Sequence, residues 1–276
     1  MKLFCGSSYH DFGERIANHL NIPLGKIILD RFSDGEVNIF IGESVRNCEC
    51  VIIQSTCQCE NKSVNDLFME LLIIIDALKR GSASKVVVVM PYFGYSRADR
   101  KDNSRAPISA KVVASCLEAQ NVNRIISCDL HSGQISGFFS NNCPMDNLYN
   151  EVYFVDYIKY YIIPEFGENI VIVAPDEGAV KSATRVAGKL QVSAATIFKN
   201  REKANVVSSM CLMGDVKGKV AVLIDDMIDT AGTACKAAKT LMDNGATKIL
   251  MLATHGIFSG QAIDRIKNSC FDRIIV

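Results

Sequence analysis

Short runs rich in Val and Ile alternate with helix-period segments along almost the whole chain, and this alternation constrains the fold more than any other feature. Two parallel strands need a long crossover between them, most often a helix. Regular strand–helix alternation therefore predicts an α/β fold of mostly parallel sheets with helices on both faces. The expected strands are Lys2–Cys5, Val51–Gln54, Lys85–Met90, Arg124–Cys128, Asn169–Ala174, Ala194–Phe198, Val220–Ile224, Lys248–Ala253 and Asp272–Val276. Helices are expected to begin near Asp11, Val64, Ile108, Tyr149, Val180, Gly232 and Gly260. Residues Lys26 to Ile41 break the pattern and read as a hairpin turning at Ser33-Asp34-Gly35. The polar, turn-rich stretch Asn141–Asn147 is the best boundary, so two similar doubly wound domains are expected, 1–146 and 147–276. Ligands of such sheets bind beyond the carboxyl ends of the strands, which predicts an active site between the domains. The chain stops on its last expected strand with no closing helix, as a domain truncated at its C-terminus would.

With 276 residues the chain can bury a sizeable core. Its 30 basic and 30 acidic residues balance, so charge favours neither nucleic acid nor a membrane surface as partner. No apolar run approaches the ~18 residues of a membrane span, and the N-terminus lacks the apolar core of a secretory signal. Eleven cysteines without small-domain spacing point to free thiols in a reducing, cytoplasmic setting. Cys48-x-Cys50 and Cys57-x-Cys59 resemble zinc pairs, but the strand-like segment between them would hold the pairs roughly 20 Å apart, too far for one ion.

The stretch Lys219 to Thr233, KVAVLIDDMIDTAGT, reads as a buried strand, two adjacent carboxylates, then a small-residue loop opening a helix. Cys235, Ala238, Leu241 and Met242 set the helical spacing, and Gly245 lies just past the end. Free amides and the positive dipole end at such a helix start suit a phosphate. Asp225, Asp226 and Asp229 would repel that phosphate alone. Their presence fits a ligand that also offers hydroxyls, or a hard cation, and a phosphorylated sugar meets both demands. Helix capping by Thr230 is the plainer alternative.

Other segments carry related chemistry. CDLHSGQISGFF sets His131 just past a strand, where it can bind a metal, contact phosphate or simply be hydrogen-bonded. In IVIVAPDEGAVKSA a strand meets Asp176, then a glycine turn and a helix; the carboxylate suits Mg²⁺ and the turn amides suit pyrophosphate. Arg97, Arg100, Lys101 and Arg105 fall within nine residues, interleaved with Asp99 and Asp102, as a polyphosphate clamp or a solvated loop would. RFSDGE offers Phe32 for stacking and Asp34 and Glu36 as acceptors for an exocyclic amine. Lys199 and Arg201, flanking Asn200, could neutralise charge on a transferring phosphoryl group.

Together these blocks resemble ribose-phosphate pyrophosphokinase, the phosphoribosyl diphosphate synthetase family. The likeness runs through RFSDGE, ESVRN, IIQST, PYFGYSRADRK, RAPISAK, DLHSGQISGFF, DNLY, GDVKGK, DDMIDTAGT and THGIFSG in order. The resemblance implies phosphoribosyltransferase-like domains and Mg²⁺-dependent transfer of the β,γ-diphosphoryl group of ATP to ribose 5-phosphate, with phosphate as an activator. By the same likeness, ribose 5-phosphate would bind at Asp225, Asp226, Asp229, Thr230, Ala231, Gly232 and Thr233, with Arg201 reaching toward it. ATP would bind at Phe32, Asp34, Gly35, Glu36, Arg97, Ala98, Asp99 and His131. Asp176, Glu177, Gly178 and Ala179 would form a pyrophosphate loop, and His131 and Asp176 would serve the metal. Lys199 and Arg201 would be catalytic residues on a flap, and Ser44 and Arg46 part of an allosteric site. A homo-oligomer, a hexamer built from dimers, is implied as well. Three positions depart from the family pattern: Ala98 stands for glutamine, Asn200 for arginine and Ala179 for glycine. These departures keep open a second reading, a non-catalytic synthetase-associated subunit. A phosphoribosyltransferase is a third, disfavoured by the hairpin and the paired domains.

Overall fold

The computed structural model describes residues 1–200 and 209–276, without the side chains of residues 199, 200 and 209. The chain divides into two compact units, Met1–Leu148 and Tyr149–Val276. The first holds β1 (Lys2–Cys5), α1 (His10–Leu20), β2 (Ile27–Arg31), β3 (Val37–Ile41), β4 (Glu49–Ile53), α2 (Val64–Arg80), β5 (Lys85–Met90), α3 (Ser109–Ala119), β6 (Arg124–Cys128) and β7 (Met145–Leu148). Its five-stranded sheet has the order β1-β4-β5-β6-β7, with every adjacent pair parallel. Alternation along the strands sends Phe4, Cys50, Ile52, Val86, Val88 and Ile125 to one face, where Leu71, Ile74 and Ile75 of α2 and Val113 and Leu117 of α3 cover them. Leu3, Cys5 and Ile53 turn to the other face and meet Ala17 of α1.

The hairpin β2–β3 forms its own two-stranded sheet, with Ile27 opposite Ile41 and Arg31 opposite Val37. Ile27, Leu29, Ile39 and Ile41 pack inward on the first core, while Ile28 and Phe40 face out. A capping box starts the adjoining α2: Ser63 Oγ accepts from the Asp66 amide, and Asp66 accepts from the Ser63 amide.

The second unit holds α4 (Glu151–Tyr157), a π-helical turn (Ile158–Ile162), α5 (Ile163–Phe166), β8 (Ile170–Ala174), α6 (Val180–Leu190), β9 (Ser193–Asn200), β10 (Ser209–Met213), β11 (Val220–Ile228), α7 (Gly232–Asp243), β12 (Lys248–Gly256), α8 (Ala262–Lys267) and β13 (Arg273–Ile275). The wide turn just before Pro164 fits a residue that cannot donate to the helix and whose ring crowds the carbonyl four residues back. The sheet order is β10-β9-β8-β11-β12-β13, parallel except for the edge pair β9–β10. From β8 the chain winds outward to β9 and β10, then crosses back to β11 on the other side of β8. Strand order therefore reverses between β8 and β11, and that switch point is where α/β sheets bind ligands. Every residue of β8 is buried, as a central strand covered on both faces requires.

Four sequence expectations need correction. Met145–Leu148 is an edge strand paired with β6 rather than linker, and the units meet at Leu148–Tyr149. A strand bonded on one side and short of apolar residues leaves little pattern to read. The sequence predicts no strand between Phe198 and Val220, yet β10 pairs there antiparallel to β9. Helix α7 buries Ala234, Ala237, Ala238 and Leu241, whereas Met242 is exposed. Finally, β11 continues to Ile228, four residues past its expected end at Ile224, so Asp225 and Asp226 lie on the strand itself.

Candidate active site

At the switch point of the second unit two strand-to-helix loops stand side by side in the sheet order. The first follows β8. Asp176 Oδ1 accepts from the Gly178 amide at 2.9 Å and from the Ala179 amide at 3.4 Å, so the turn closes on its own carboxylate. Ala179 is buried with φ −81°, ψ −7° at the start of α6. An alanine carries no backbone strain there. Glu177 and Gly178 are exposed.

The second loop follows β11. Burial, then the nearby Asp226 and Asp176 carboxylates, push the Asp225 carboxyl well above the ordinary carboxylate range, opposed by the Asp226 amide donated to Asp225 Oδ1 at 3.0 Å. A hard cation or ligand hydroxyls would relieve this crowding. Among the described residues no cluster of three or more His, Cys, Asp or Glu is arranged to hold a metal by itself. That donor set suits Mg²⁺, which keeps several waters and shares one or two carboxylates with substrate phosphates. Beyond the acids, Ala231 takes a left-handed backbone, φ 59° and ψ 4°, and its carbonyl accepts from the Cys235 amide at 2.9 Å to start α7. The amides of Gly232, Thr233 and Ala234 then have no intrahelical acceptor. A Cβ built on Gly232 would meet nothing closer than Thr230 Oγ1 at 3.8 Å. Glycine is thus not forced by crowding; it leaves the space over the amides open. Left-handed turns followed by free amides form anion-binding concavities.

The first unit carries its own group. Gly94 follows β5, and a Cβ there would lie 2.7 Å from the Thr56 carbonyl oxygen, so only glycine lets the two loops approach. Past it Arg97 is exposed, the Ala98 amide donates to the Tyr95 carbonyl at 3.2 Å, and Arg100 pairs with Asp102 at 2.8 Å. Asp99 accepts from Gln134 Nε2 at 2.6 Å, which joins the arginine loop to the segment after β6 where exposed His131 lies. Gln134 went unnoticed in the sequence because an isolated Gln has no distinctive spacing. The Asp129 amide donates to the Leu148 carbonyl and the Leu130 amide to Asn147 Oδ1, fixing the approach to His131 from β7.

In the hairpin turn the Phe32 amide donates to the Glu36 carbonyl at 2.8 Å and Gly35 has φ 94°. Phe32 stands out with 55% of its surface exposed. Asp34 accepts from the Glu36 amide at 3.1 Å. Arg31 donates to the Gly35 carbonyl and to Asp66 at 3.0 Å, tying the turn to α2. Ser44 and Arg46, between β3 and β4, are exposed on either side of buried Val45. The side chain of Lys199 and the whole of Arg201 lie outside the described residues. All eleven cysteines are free thiols, with Cys48 and Cys50 bracketing the start of β4 and Cys57 and Cys59 in the loop beyond it.

A family model described as the N-terminal domain of ribose phosphate pyrophosphokinase matches residues 1–120, and one described as a phosphoribosyl synthetase-associated domain matches residues 200–276. The ribose-phosphate pyrophosphokinase of Wolinella succinogenes is 48% identical over all of this chain and 86% of its own length. This chain belongs to the ribose-phosphate pyrophosphokinase family. A Helicobacter pylori ribose-phosphate pyrophosphokinase is 46% identical, with 83% of its length covered. Among solved structures, the phosphoribosylpyrophosphate synthetase of Mycobacterium smegmatis superposes with a TM-score of 0.90 at 36% identity, over 99% of this chain and 87% of that one. The pyrophosphokinase fold is therefore shared through both units. No helix among the described residues is long and apolar enough to cross a membrane.

Proposed function

We propose that this chain transfers the β,γ-diphosphoryl group of ATP to the C1 hydroxyl of ribose 5-phosphate, giving 5-phosphoribosyl 1-diphosphate and AMP. The observation that carries the reading is the β11–α7 loop, an open fan of amides beside crowded carboxylates at a switch point, in a chain of this family. The 5-phosphate would sit on Asp229, Thr230, Ala231, Gly232 and Thr233, with Asp225 and Asp226 accepting from ribose hydroxyls. Adenine would stack on Phe32, with Asp34, Gly35 and Glu36 reading its edge. Arg97, Ala98 and Asp99 would line the ATP phosphates, Ala98 through its backbone. The turn of Asp176, Glu177, Gly178 and Ala179 would face the diphosphate, which must draw the Gly178 and Ala179 amides off Asp176.

Asp176 and His131 would serve Mg²⁺, which when bound shields charge on the ATP phosphates. The sugar oxygen bonds to the β-phosphorus as the bond from that phosphorus to the oxygen retained by AMP breaks; the hydroxyl proton passes to solvent. Such a loose transition state needs alignment and positive charge more than a strong base. Lys199 and Arg201 would supply that charge, and no residue is assigned as general base. Activation by phosphate through Ser44 and Arg46, a hexamer built from dimers and a cytoplasmic setting complete the proposal; light scattering tests the assembly. Purified protein with ATP, Mg²⁺ and phosphate is expected to release AMP only when ribose 5-phosphate is added, and Lys199→Ala to lose most of that rate. Failure to form AMP at saturating substrate would overturn the reading.

A further inference from the structure

Three successive carbonyls in the β11–α7 loop are held from outside the loop. The Ile228 carbonyl accepts from the Ile257 and Phe258 amides at 2.9 and 3.1 Å, and the Asp229 carbonyl from the Ser259 amide at 3.1 Å. The third, on Thr230, accepts from Arg265 Nη1 of α8 at 2.8 Å. The first two bonds are backbone to backbone, and most side chains would allow them. The third depends on one side chain reaching across 35 residues of sequence. It also comes immediately before Ala231, whose left-handed backbone costs roughly 1–2 kcal/mol in a non-glycine residue.

We infer that Arg265 is a positioning residue for the sugar-phosphate loop: by pinning the Thr230 carbonyl it holds Ala231 left-handed and keeps the amides of Gly232 and Thr233 aimed at the 5-phosphate. The inference rests on the reading of that loop given above. A guanidinium suits the task because it is always charged and directs its donors in a fixed plane. With the Thr230 carbonyl tied to Arg265, its negative end is committed to a cation rather than left beside an incoming anion. The charge reaches the same helix start: burial raises the Cys235 thiol, and the Ser269 hydroxyl and then Arg265 oppose that rise. Nothing requires Arg265 to touch the substrate.

The test is steady-state AMP formation by the full chain, with ribose 5-phosphate and ATP varied separately. Arg265→Ala is expected to raise KM for ribose 5-phosphate about tenfold, the cost of one charge-assisted hydrogen bond, and to leave KM for ATP unchanged. Arg265→Lys should lose less, since an ammonium can still donate to one carbonyl. In an Ala231→Gly background Arg265→Ala should also lose less, because glycine takes the left-handed turn without help. An unchanged sugar KM, equal rises in both KM values, or the same loss in the glycine background would each overturn the inference. Should Arg265→Ala not fold, Arg265→Met, which keeps the bulk and has no donor, carries the test, and a sugar KM equal to that of the parent would refute it. If the unmutated protein forms no AMP, the functional reading fails by itself. Calorimetric titration of ribose 5-phosphate into parent and Arg265→Ala then decides the positioning role, with the same tenfold weakening expected and equal affinities refuting it.

Discussion

The two loops at the switch point of the second unit begin alike and end differently. Each leaves a buried strand, passes an aspartate and enters a helix through small residues. After β8 the turn folds onto itself: the Gly178 and Ala179 amides are spent on Asp176, and Ala179 keeps an ordinary right-handed backbone. After β11 the carbonyls are drawn away by the segment following β12 and by Arg265, Ala231 is left-handed, and the helix-start amides face outward. On the proposed reading, one loop is built for its ligand beforehand and the other must exchange an internal bond for it. Preorganisation lowers the ordering cost of binding, so the second loop should set affinity and the first should respond to it.

Four substitutions would break or sharpen that contrast. The largest effect is expected from Gly232→Val, whose methyls would stand over the open amides. KM for ribose 5-phosphate should rise at least about a hundredfold as several charge-assisted bonds are lost together; a small rise would mean the phosphate sits elsewhere. Next is Asp225→Asn, read by denaturant unfolding of the free protein. Because the folded protein holds this carboxyl above its ordinary range, its uncharged form stabilises at low pH, and that contribution is lost as pH rises through the elevated value. The Asn variant cannot ionise. At mildly alkaline pH it should therefore be more stable than the parent, by about 1.4 kcal/mol for each pK unit of elevation, with the gap closing on acidification. The opposite trend would show that Asp225 is stabilised as an anion. The smallest effects should differ in size between the loops, because both alanines are buried and each loses a packed methyl. Ala179→Gly should lower unfolding free energy by about 1–2 kcal/mol, with that methyl lost and freedom added to the unfolded chain. Ala231→Gly should lose about 1–2 kcal/mol less, as it also relieves a left-handed alanine. Equal losses in thermal unfolding would erase the distinction between the two turns.

How much of this was legible in the sequence follows from range. Strand–helix alternation and the hairpin are local patterns, and Val64, Val180 and Gly232 begin helices as their surroundings predict. The amide fan was equally readable, because small residues after a buried strand encode it within a few positions. What escaped depends on partners distant in the chain. The edge strand Met145–Leu148 looks like a turn until β6 supplies its bonds. The sequence predicts a strand ending at Ile224, since carboxylates ordinarily end an apolar run, yet pairing with β12 carries it on to Ile228. The reach of Arg265 across 35 residues has no sequence signature, whereas the Asp176 turn is local and Asp-x-Gly is a common way to close one.

Asp66 has a consequence of its own. One carboxylate both completes the capping box of α2 and holds Arg31 of the hairpin. Its bonds from Ser63, and then Arg31, draw its pKa down to about 2. The stability it confers is therefore present at any pH above the ordinary aspartate value and vanishes only as acid approaches that depressed one. Helix start and hairpin turn thus share one carboxylate beside the apolar packing of Ile27, Leu29, Ile39 and Ile41, so acid strong enough to protonate it should loosen the cap and the turn contact together.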